Sequence, residues 1–113
     1  MIFVIGGYAQ GKRAYVEREF SKDYVIFDAY HLQVKEQMMH GKDPLACAKE
    51  LLDKEKVSGE QYIVISDEIG YGLVPVDKKD RMYREENGRV NIFFADHATD
   101  VYRVVAGIAQ KIK

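Results

Sequence analysis

The octapeptide GGYAQGKR, Gly6 to Arg13, directly follows the apolar run IFVI and fits the spacing G-x-x-x-x-G-K through Gly6, Gly11 and Lys12. The chemistry this spacing offers is anion binding. Glycines let the backbone N–H groups of Gly7, Tyr8, Ala9, Gln10 and Gly11 converge on a phosphate, a following helix presents its positive end, and the Lys12 ammonium adds a point charge. The next position departs from the motif. A Ser or Thr hydroxyl normally holds Mg²⁺ there, and Arg13 stands in its place. A guanidinium can contact two phosphate oxygens in a fork, but beside Lys12 it disfavours a divalent cation by like-charge repulsion. The loop is therefore expected to bind phosphate with little dependence on Mg²⁺. A glycine turn that binds nothing is the plain alternative.

Other candidates sit where apolar runs end. Asp28 follows YVIF, and two readings stand: a carboxylate that holds a metal-bound water, or a helix N-cap. Asp67 and Glu68 follow YIVIS and could orient a water, bind metal or act as general base for a hydroxyl, or simply cap a turn. Gly70 and Gly72 around Tyr71 allow a tight loop beside a cleft, or a surface turn. Arg84, Arg89 and Asn91 could reach a substrate phosphate, with a solvated helix face the simpler account of Arg84. His97 reads as a half-buried packing residue, and His31 and His40 lack partners at metal-ligand spacing. No zinc pattern, Ser-His-Asp arrangement or dinucleotide G-x-G-x-x-G is present.

The elements that must position these residues are legible as alternation. Four β-rich runs, IFVI, YVIF, YIVIS and VYRVV, are apolar apart from Ser66 and Arg103 and do not alternate, as expected for strands covered on both faces of a parallel sheet. Between them lie helical patterns: Gly11 to Phe20; Tyr30, Val34 and Met38 at i, i+4, i+8; and Leu45, Ala48 and Leu52 after an Asp43 N-cap with Pro44 at the first helical position. A charged stretch from Asp77 carries Val90, Phe93, Phe94 and His97 on one face, with Gly88 as a possible break. Strand–helix alternation predicts right-handed crossovers and an open α/β sheet, with ligands outside the carboxyl ends of the strands.

Bulk composition narrows the classes. The 113 residues predict one domain, 1–113. Seventeen basic residues against 18 acidic ones leave a net charge of −1, which gives no broad field for nucleic acid or an acidic membrane. Cys47 is the only cysteine, so an internal disulfide and a multi-cysteine metal site are excluded. A reducing, cytoplasmic compartment is expected. The opening apolar run is too short for a signal peptide or a membrane span.

The segments IFVIGGYAQGKRAYVE, VIFDAYHL, GKDPLACAKELL, YIVISDEIGYGLVP and YREENGRVNIFFADHATDVYRVVAGIAQKIK, in that order, resemble the adenosylcobinamide kinase/adenosylcobinamide-phosphate guanylyltransferase family of cobalamin biosynthesis. The most specific parts are SDEIGYGLVP, similar to that family's S-N-E-V-G-x-G-I-V-P, and NGRVN, similar to its later G-R-x-N. The resemblance implies a three-layer, P-loop NTPase-like α/β fold with a small, mostly parallel sheet, and binding of ATP or GTP. It also implies phosphorylation of a hydroxyl on a cobinamide-like acceptor, Lys12 on the β- and γ-phosphates, Glu68 near the acceptor, Asp28 as a metal carboxylate, and oligomers. Family members are longer, and the piece absent here falls between REFSKD and YVIFD. That piece carries the histidine that accepts the guanylyl group, so the second reaction is expected to be lost. Arg13, Asp67 in place of Asn, and Ala109 in place of Pro are further departures. A non-catalytic binding or assembly protein that keeps the fold is the alternative.

Overall fold

The computed structural model describes residues 1–69 and 77–113; the expectations for Gly70, Tyr71 and Gly72 lie outside them. The described elements are β1 (Ile2–Gly6), α1 (Lys12–Glu19), β2 (Val25–Phe27), α2 (Tyr30–Met39), α3 (Pro44–Ser58), β3 (Tyr62–Asp67), α4 (Lys78–His97), β4 (Asp100–Val105) and β5 (Ile108–Lys111). The sheet order is β2-β3-β1-β4-β5, with every pairing parallel except β4 with β5. The fold is α/β with helices on both faces of a mostly parallel sheet, as the strand–helix alternation predicts.

Side chains alternate across the strands and so feed two cores. Phe3, Val64 and Val101 pack with Tyr30, Val34, Ala48, Leu52, Val90 and Phe94 from α2, α3 and α4. The Phe94 ring lies 5.6 Å from Phe3 and 4.9 Å from Tyr30, centroid to centroid, and locks α4 to both the sheet and α2. On the other face Ile2, Val4, Ile63, Ile65 and Val104 pack on Val16 of α1, flanked by half-buried Tyr15, Phe20, Tyr24 and Tyr102.

One local expectation is corrected, and one strand appears that the sequence reading did not include. Gly88 does not break α4, which runs its full 20 residues because Asn87, Val90 and Phe94 anchor both sides of the glycine in the core. The segment after Gly107 forms a fifth strand. Ala106 and Gly107 both have positive φ, 50° and 77°, the two-residue turn that matches the twist of an antiparallel hairpin, and Val105 pairs with Ile108. The Asp43 cap and Pro44 start of α3 are as expected, Asp43 Oδ1 accepting from Leu45 N at 3.1 Å.

β1 and β3 lie side by side, in register Gly6 to Asp67. The chain leaving β1 passes β3 to reach β2, and the chain leaving β3 passes β1 to reach β4. This opposed departure opens a crevice at the carboxyl ends of the central strands, which is where the glycine loop and Asp67 meet.

Candidate functional site at the glycine loop

Gly6 ends β1 where a side chain has no room: a Cβ there would stand 2.5 Å from the carbonyl oxygen of Val104 on β4. The loop then turns through Ala9 at φ 56° and Gly11 at φ 88°, and Gly11 is the N-cap of α1. Gln10 ties the loop to the β4–β5 hairpin, its Oε1 accepting from Ala106 N at 2.7 Å and its carbonyl from Gly107 N at 2.8 Å. The hairpin that sequence reasoning missed thus braces the loop.

Lys12, at the first turn of α1, is only 7% exposed. Its Nζ donates to the Gly7 carbonyl at 2.6 Å and pairs with Asp67 Oδ1 at 2.7 Å. Asp67 is held in turn: its backbone N–H donates to His31 Nδ1 at 3.1 Å, and Oδ2 lies 3.4 Å from His31 Nε2. Burial pushes the His31 imidazole below its ordinary value, against the pull of the Asp67 charge. With Nδ1 accepting, the neutral ring carries its proton on Nε2, facing the carboxylate. The His31 carbonyl accepts from the Tyr83 hydroxyl at 2.7 Å, and burial, with Asp67 adding to it, drives that phenol up to about 12. Asn87, buried on α4, donates to the Asp67 carbonyl at 3.4 Å. Elements α1, α2, β3 and α4 therefore converge on one lysine–aspartate pair.

Consecutive carboxylates part here. Glu68 bonds its N–H to the Gly6 carbonyl at 2.8 Å, while its Oε2 lies 3.4 Å from Arg103 Nη2 beside a cavity of about 520 Å³ that also borders Gly7, Tyr8 and Gln10. A second cavity of about 420 Å³ carries Lys12, Arg13, Asp28, His31 and Asp67 along its wall, with loop residues Tyr8 to Gly11. His31 was the partner sequence spacing could not supply, because 36 residues separate it from Asp67 and only the sheet brings them together.

Arg13 points along α1 instead of into the loop. Its Nε bonds Glu17 Oε1 at 2.6 Å and Nη1 lies 3.6 Å from Asp28 Oδ2, so both neighbouring acids offset its charge; the Glu17 bond raises its pKa. Asp28 Oδ1 accepts from Ala29 N at 2.7 Å, but Ala29, not Asp28, is the N-cap of α2. No group of three or more His, Cys, Asp or Glu side chains able to hold a metal occurs among the described residues. The donors do fit a Mg²⁺ that takes most of its ligands from phosphate and water, since Asp28 and Asp67 border one cavity and such ions commonly use one or two carboxylates.

His97 is exposed, contrary to the half-buried position expected from the sequence: it stacks on Phe93 at 4.2 Å, Nδ1 to the Phe93 carbonyl, on the solvent side of α4. His40 is exposed, Arg89 pairs with Glu86 within α4, and Arg84 is half-buried.

The sheet order, the glycine loop between β1 and α1, and the lysine closing it define an α/β protein of the P-loop NTPase-like class. The family model described as cobinamide kinase / cobinamide phosphate guanyltransferase matches residues 4–112, and the chain belongs to that family. It is similar to the bifunctional adenosylcobalamin biosynthesis protein CobU of Escherichia coli K12 and to that of Salmonella typhimurium LT2. Each is 41% identical over 53 residues, covering 47% of this chain and 29% of the relative. The matched stretch thus spans under a third of those relatives' length. No helix among the described residues is long and apolar enough to cross a membrane.

Proposed function

We propose that the chain binds ATP or GTP by its phosphates on the loop Gly6 to Arg13 and transfers the terminal phosphoryl group to a hydroxyl of a cobinamide-like acceptor. The observation that carries this reading is the preassembled Lys12: a nearly buried ammonium at a helix N-terminus, fixed at the carboxyl ends of β1 and β3. Phosphoryl transfer relies on positioning and electrostatic stabilisation. Lys12 and the loop N–H groups would hold the β- and γ-phosphates. The acceptor oxygen would attack the γ-phosphorus, the bond to the nucleoside diphosphate would break, and Glu68 would take the hydroxyl proton. Mg²⁺, held through Asp28 and Asp67, would supply charge neutralisation on the phosphates.

Guanylyl transfer is not part of this reading. The resemblance places its acceptor histidine in the stretch absent between Asp23 and Tyr24. Of the histidines present, His31 is engaged with Asp67, while His40 and His97 lie exposed. A second reading, a nucleotide-binding protein without turnover, is favoured by Arg13, which replaces a metal-binding hydroxyl and is engaged with Glu17 and Asp28.

Calorimetric titration with ATP and with GTP, each with and without Mg²⁺, tests the binding. Lys12→Ala should weaken it at least about tenfold, about 1.4 kcal/mol, as loss of a charge-assisted contact. Superimposable curves for the variant and the parent would refute the site. Nucleotide hydrolysis or acceptor phosphorylation separates the first reading from the second.

A further inference from the structure

We propose that Asp67 sets the phosphate affinity of the loop by acting as an internal anion that an incoming phosphate must displace from Lys12. The inference rests on the assignment of phosphate to the Gly6–Lys12 loop. An ammonium has three donors. Two are already taken, by the Gly7 carbonyl at 2.6 Å and by Asp67 Oδ1 at 2.7 Å. The two side chains are 8% and 13% exposed, so water does little to screen the pair, and a phosphate reaching Nζ meets a carboxylate at the same atom.

The Asp67 backbone is tethered beside Lys12, so a displaced carboxylate stays near the loop. Its N–H is held by His31 Nδ1, its Oδ2 faces His31 Nε2, its carbonyl accepts from Asn87, and its backbone is in register with Gly6. A phosphate that captures Lys12 leaves this carboxylate close by, nearly buried and stripped of its main counter-charge. The repulsion is therefore built into the folded site and lowers affinity in proportion. Replacing Asp67 by Asn keeps the size and the acceptor oxygen but not the charge. The substitution separates the charge of Asp67 from its shape.

The test is calorimetric titration of the full chain with inorganic tripolyphosphate in the absence of divalent cations, which isolates phosphate from base recognition. Asp67→Asn is expected to bind at least about fivefold more tightly than the parent, the lower end of coupling between two sites. Asp67→Ser, which removes the same charge without the amide, is expected to move in the same direction, and thermal melting reports whether each variant is folded. The gain must vanish in the Lys12→Ala background, since the coupling runs through Nζ. Unchanged or weaker binding by both folded variants overturns the proposal. A gain that persists without Lys12 overturns it as well, by showing a general charge effect. If Lys12→Ala alone leaves tripolyphosphate binding unchanged, the phosphate site itself is wrong, a result distinct from failure of the Asp67 inference.

Discussion

His31 shows how one residue's surroundings set its chemistry. Its ring meets Asp67 on both nitrogens, with Lys12 and Asp28 adding opposed charges, yet burial outweighs the carboxylate and lowers the pKa. The folded state thus favours the neutral ring. The unfolded chain takes up a proton near the ordinary histidine value, about 6.5. Stability contributed by the neutral ring is complete above that value and is lost as pH falls from it toward the lower folded pKa. Urea midpoints should therefore decline below about pH 6.5, and His31→Gln should flatten that part of the profile. An identical slope in the variant would assign the decline to other groups. In register with Asp67, Gly6 has no room for a side chain, because the Val104 carbonyl occupies that space.

Helix α4 is the element in which local propensity and tertiary packing conflict. A mid-helix glycine weakens a helix, yet Asn87, Val90 and Phe94 are buried on either side of Gly88 and hold it continuous. Beyond the adjoining residues and the helix's own backbone, no atom lies within 4 Å of a Cβ built at Gly88. Gly88→Ala should then stabilise the protein by about 0.5–1 kcal/mol through helix propensity, seen as a higher melting temperature. A lower melting temperature would mean that the glycine serves something other than the helix. The same helix supplies Tyr83 and Asn87 to the site, so its continuity matters to the His31–Asp67 geometry as well as to the core.

The whole molecule is a thin slab, 41 × 34 × 20 Å, with unequal coverings. Among the described residues, three helices cover one face of the sheet and only α1, eight residues long, covers the other. Around α1 the rings of Tyr15, Phe20, Tyr24 and Tyr102 touch one another in a half-buried cluster, with centroids 5.6 to 6.0 Å apart. Aromatic residues of this kind are enriched in protein interfaces. Self-association through this face is our expectation: sedimentation should give at least a dimer at micromolar concentration, and Tyr102→Glu should shift it toward monomer. A compact monomer throughout that range would contradict it.

Some of this was determined by sequence alone. Largely apolar runs placed four strands, and Gly6, Gly11 and Lys12 placed a phosphate-type loop between the first strand and its helix, because backbone freedom and hydrophobic period are local properties. Asp43 before Pro44 fixed the start of α3 for the same reason. The tertiary structure decided the rest. Asp67 and Glu68 are adjacent in sequence, and only the folded chain shows that Asp67 pairs with Lys12 while Glu68 lies beside Arg103. Arg13 looked like a second loop cation, and its pairing with Asp28 could be known only once β2 was laid beside β3. His31 had no partner at any informative spacing and gained one across 36 residues when α2 packed over the end of the sheet. Contacts between residues distant in sequence are set by strand order and crossover, and neither residue type nor spacing encodes them.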